Sequence, residues 1–162
     1  LGHSVHPMLI VFPLGLLGTA VIFDIIRMFS GSTVLAVAAY WMLAAGIIGG
    51  LVAAVFGLID WMAIPSDTRA KSVGLTHGLV NVCAVLLFAV SWYLRNDAPE
   101  HPTVAASVVA IAGLIVALVG GWLGGELVER LGVGVHPGAN PNAPSSLATD
   151  STSFHGARPH HP

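Results

Sequence analysis

The residues best equipped for chemistry in this sequence are histidines set among apolar neighbours. His3 and His6 open the chain within Gly2-His3-x-x-His6-Pro7, and His77 lies four residues before Asn81. Asp60 closes a run of small residues, Gly46, Gly50, Ala53 and Gly57, at alternating spacings of four and three. Neutral imidazole is the commonest metal ligand and the usual axial ligand of b-type haem. A carboxylate or amide beside an imidazole fixes its tautomer and orientation. Ionisable groups at membrane depth are costly unless partnered, which makes them functional candidates by default. The question is what could hold these residues together.

Composition answers with lipid. The chain has 162 residues, of which 55% are hydrophobic and 9% charged. A soluble domain of this size carries about a quarter charged residues, so this one cannot cover a water-facing surface. Apolar runs of roughly 20 residues span a bilayer as helices, because backbone amides in hydrocarbon must be satisfied within the segment. Four such spans are predicted: about 7–29, 34–64, 73–94 and 104–128. Short connections between them predict an all-α, up-down-up-down integral membrane bundle over residues 1–135. The second span exceeds bilayer thickness and is expected to tilt or extend into the interface. Residues 136–162, rich in Pro, Ser, Asn and His, form a polar tail that cannot fold alone. The tail is expected to meet a partner surface. The chain opens on Leu1 rather than Met and shows no cleavable signal peptide, so a preceding segment is expected.

Alternation of the spans decides which polar groups can meet. The start of span one, the end of span two, the start of span three and the end of span four share one membrane face. That face collects His3, His6, Asp60, His77, Asn81, Glu126 and His136, while Asp24, Arg27, Arg95, Asp97, Glu100 and His101 lie at the other. Pro7 suits a first helical position and sets His6 near the N-cap. His77 and Asn81, four apart, share a helix face. Pro13 leaves the Leu9 carbonyl without its helical donor and predicts a kink. Small residues on span two, and Ala106, Ala110, Gly113, Ala117, Gly120 and Gly124 on span four, predict close helix–helix contact or room for a flat cofactor.

Plainer readings stand beside these. His3 and His6 would be solvated interfacial histidines, and His77 with Asn81 a polar packing pair. Asp60 would pair with Arg69 or Lys71, and Asp24 with Arg27 as a local i,i+3 ion pair. His155, His160 and His161 would belong to a solvated tail. Cys83, the only cysteine, would be small packing material. Trp41, Trp61, Trp92 and Trp122 suit an interfacial aromatic belt.

Gly2-His3-x-x-His6-Pro7, Phe12-Pro13-x-Gly15, Asp24, Gly57-x-x-Asp60, His77-x-x-x-Asn81 and the Gly120–Gly125 stretch together resemble a bacterial family of four-span membrane proteins of unknown function. The resemblance covers about residues 2–135 and implies the same fold. Members joined to Rieske-type iron–sulfur domains imply a link to electron transfer, although this chain has no Cys/His pattern for such a cluster.

The leading functional expectation is a small membrane redox subunit binding b-type haem through His77 and either His6 or His3, with Asp60 and Asn81 orienting the imidazoles. A non-haem zinc or iron site made by His3, His6, His77 and Asp60 is the alternative. A cofactor-free structural or assembly subunit comes third, and a proton or solute pathway last. No serine elbow, phosphate loop or catalytic carboxylate pair points to an enzyme. The expected surroundings are a bacterial inner membrane crossed several times, with other membrane subunits or further copies as partners. A net charge of −2 and no basic run give no reason to expect nucleic acid. Arg69, Lys71 and Arg130 near the histidine face outnumber Arg27 and Arg95, which predicts a cytoplasmic histidine face.

Overall fold

Helix boundaries fall where the sequence supplies caps. The side chains of Ser32, Thr68 and Thr103 accept hydrogen bonds from the amides of Leu35, Lys71 and Ala106, the three-residue reach of an N-cap. Gly31 closes the first helix in the left-handed region, at φ 67°, which glycine adopts without a Cβ clash. Ile64 is extended ahead of Pro65, where the proline ring disfavours helix. In the computed structural model, which describes residues 5–146, these signals delimit α1 (His6–Ser30), α2 (Thr33–Ala63), α3 (Arg69–Tyr93) and α4 (Val104–Arg130). All four are long and apolar enough to cross a membrane, so the all-α, four-span architecture stands. His3 and the tail residues His155, His160 and His161 lie outside the described residues.

The third helix starts four residues earlier than apolarity alone suggests. Arg69 and Lys71 belong to its first turn rather than to a loop, because Thr68 caps it and Lys71 has partners of its own. Lys71 Nζ donates to the carbonyls of Trp61, Met62 and Ile64 at the end of α2, where helical donors run out and only Trp61 also accepts from the Ile64 amide. In α1 the helix is interrupted at Ile10, between His6–Leu9 and Val11–Ser30. Pro13, three residues on, withholds the donor that Leu9 would use. The ring is itself buried, facing Gly49 and Gly50 of α2.

α1 packs on α2 and α4, and α3 packs on the same two. α1 and α3 are therefore diagonal across the bundle axis. Mid-bundle, the axis is filled by Leu17, Ala20 and Val21 of α1, Ala39 and Leu43 of α2, Phe88 of α3 and Ala110 of α4. Large apolar side chains such as Phe12, Ile48, Leu79 and Leu118 face outwards, as expected when lipid is the solvent and packing, not water expulsion, holds helices together. Cys83 is on this outer surface rather than in the packing. Trp41 and Trp122 are exposed. Trp92 instead stacks on Tyr40, with ring centroids 5.6 Å apart, and the Trp61 indole donates to the Lys71 carbonyl.

Candidate functional site: a pair of imidazoles on the bundle axis

His6 and His77 come from the two diagonal helices and meet between the other two. Their ring centroids are 6.2 Å apart and the planes are perpendicular. His6 Nδ1 lies 2.8 Å from the Ala53 carbonyl of α2, and His77 Nδ1 lies 2.9 Å from the Gly120 carbonyl of α4. A carbonyl only accepts, so in each neutral ring Nδ1 carries the proton and Nε2 keeps its lone pair. Fixing one nitrogen on a carbonyl is how proteins orient an imidazole for ligation through the other.

Glycines make the room. A Cβ on Gly57 would lie 3.0 Å from His6, one on Gly124 would lie 3.2 Å from His77, and one on Gly120 would lie 2.6 Å from Asn81 Oδ1. The Asn81 amide donates to the His77 carbonyl at 2.8 Å and sits 3.3 Å from both ring nitrogens. It therefore lies against the imidazole, as the i,i+4 spacing predicts. The other seam glycines also meet neighbouring helices: Gly46 faces Leu17, Gly50 faces Val85, and Gly113 faces Phe88. The periodicity marks helix contacts, but each glycine receives a side chain rather than a second backbone. Next to the histidines the seam is occupied by His6, His77 and Asn81, so it does not itself provide a slot for a flat ring.

Around the pair, Arg69 donates to Glu126 at 2.7 Å and ties α3 to the last turn of α4. That turn, Glu126–Arg130, is π-helical. Asp60 is half-buried one turn beyond Gly57 and makes an interaction of its own. Among the described residues no three of His, Cys, Asp and Glu gather into a metal-holding group.

The opposite end holds a cluster that spacing misread. Asp24 does not pair with Arg27. Arg95 Nη1 and Nη2 take its two carboxylate oxygens, Nη1 at 2.7 Å, and both residues are fully buried. Ser91 donates to the Ala106 carbonyl and accepts from Arg95, joining α1, α3 and α4. The forked guanidinium matches a carboxylate in a way that an i,i+3 neighbour on one helix cannot easily reach. No local signal reveals the pair, since its members are 71 positions apart.

Fold and site together define a multi-pass membrane protein, a four-helix bundle with two inward imidazoles near one membrane face. The chain belongs to the family described as Predicted membrane protein (DUF2231), whose model matches residues 2–137. No curated protein and no solved structure matches it.

Proposed function

We propose that this membrane protein is a small redox subunit whose centre is the His6–His77 pair, the two Nε2 atoms sharing one transition-metal ion. The observation that carries the reading is the matched setting of the two rings. Each is held at Nδ1 by a carbonyl, and together they sit 6.2 Å apart on the axis. An ion held by both Nε2 atoms at about 2.0–2.1 Å sets ring centroids roughly 5 to 6.5 Å apart, depending on the angle at the metal. The observed spacing of 6.2 Å falls within that range.

The iron of a b-type haem asks for two imidazoles and no further protein ligand. That donor count favours it. When bound, it would supply one-electron chemistry, with His6 and His77 holding the iron and Asn81 steadying the His77 ring. The filled glycine seam favours the alternative, a bare zinc or iron ion in a non-haem site that would draw further ligands from His3 and Asp60. Zinc carries no redox chemistry, so a zinc-loaded protein would be a metal-binding subunit rather than a redox one. Either form belongs to a subunit of a larger membrane assembly or a homo-oligomer.

Absorption spectroscopy and elemental analysis of protein purified from membranes test the proposal. A Soret band that shifts on reduction supports haem, and a colourless protein with stoichiometric zinc or iron supports the bare ion. His77→Ala should abolish whichever is retained, and His101→Ala, at the opposite face, should not. Full retention in the His77 variant, or wild-type protein with neither haem nor metal, would overturn the proposal and leave a structural subunit.

A further inference from the structure

We propose that Arg27, at the face opposite the histidines, seats the phosphate of an anionic phospholipid. The inference is independent of the imidazole centre. Arg27 lies in the last turn of α1, three residues before its end. The nearest carboxylate in sequence, Asp24, has both oxygens committed to Arg95. Among the described residues the ion pairs are Arg95–Asp24 and Arg69–Glu126, so the charged cluster of Asp24, Arg95 and Arg27 carries one uncompensated positive charge.

The guanidinium of Arg27 is also short of hydrogen-bond partners. Nη2 donates to Ser107 Oγ at 3.3 Å, near the long limit for such a bond. Nε is enclosed without a partner and out of reach of an external group, so Nη1, which makes no hydrogen bond among the described residues, is the nitrogen left to meet an anion. A guanidinium stays charged, and in low dielectric that charge is costly unless an anion or water compensates it. In this setting the anion at hand is a headgroup phosphate, whose oxygens accept charge-assisted hydrogen bonds from a guanidinium N–H.

The surroundings fit a lipid rather than a free ion. Ile26 and Met28 beside Arg27, and Val104 and Val108 beside Ser107, are exposed apolar side chains on the bilayer-facing surface. Acyl chains can lie along them while the phosphate meets Arg27.

Native mass spectrometry of the detergent-purified chain, titrated with phosphatidylglycerol and with diacylglycerol of the same acyl chains, tests this. Wild-type protein should retain phosphatidylglycerol and not diacylglycerol. Arg27→Gln should weaken retention about tenfold, the scale of one charge-assisted contact, and Arg27→Lys should fall between. Equal binding of the two lipids by wild-type protein, or unchanged retention in Arg27→Gln, would overturn the proposal. Displacement of the lipid by millimolar inorganic phosphate would equally overturn it, since the seat would then recognise the bare anion.

Discussion

Gly120 and Gly121 are adjacent in one helix, yet a methyl group should have opposite effects at the two. On Gly121 nothing lies within 4 Å of the new Cβ. Gly121→Ala therefore gains helix propensity, about 1 kcal/mol in aqueous hosts, with no contact disturbed. On Gly120 the Cβ would come within 2.6 Å of Asn81 Oδ1 and 3.0 Å of its Cγ and Nδ2. Asn81 cannot swing away freely, because its amide is bonded to the His77 carbonyl. Overpacking typically costs about 1–3 kcal/mol, and losing the Asn81 hydrogen bond adds about 1 kcal/mol. Set against the same helix gain, Gly120→Ala should destabilise the bundle by about 1–3 kcal/mol. It should also shift the carbonyl that holds His77. Thermal unfolding of both variants in one detergent reads the difference directly. If Gly120→Ala proves as stable as Gly121→Ala, the placement of Asn81 under Gly120 is wrong.

Three further outcomes are expected. Arg95→Met alone strands a buried carboxylate and should cost about 3–5 kcal/mol, whereas adding Asp24→Leu should recover most of it; thermal melts of the single and double variants decide. Gly57→Ala presses on the His6 ring and should lower retention of any bound haem or metal more than it lowers the melting temperature, measured by comparing elemental or haem content with the melt. Deleting residues 140–162 should leave the four-helix bundle folded while weakening assembly with partners; circular dichroism and native gels of the truncated chain give the two readouts.

The bundle was legible because hydrocarbon imposes a strong constraint: a span must be helical, apolar and about 20 residues long. Alternation then carried the argument from sequence to site, for once four spans run up and down, His6 and His77 must start at the same face. The glycine spacing marked real contacts at Gly46, Gly50, Gly57, Gly113, Gly120 and Gly124. It did not say what would fill them, since a small residue fits equally against a backbone, a ring or a cofactor. The Asp24–Arg95 pair was hidden for a different reason. Local spacing offers Arg27 as the partner, but side-chain direction, burial and Arg95 being carried inward at the end of α3 decide otherwise. Lys71 misled in the same way: its charge suggests a loop, yet its ammonium replaces the missing donors at the end of α2.

The apolar plug of Leu17, Val21, Leu43 and Phe88 divides the molecule into two electrically separate ends. On one side is the imidazole pair, on the other a buried ion pair whose charges cancel locally. Among the described residues, the side chains gathered along this stretch of the axis are apolar. If the imidazole pair holds an ion, as proposed, that charge would sit at one end of the bundle, with packed hydrocarbon between it and the Asp24–Arg95 pair. The aqueous compartment adjoining His6 and His77 would then be the nearer source of whatever they bind.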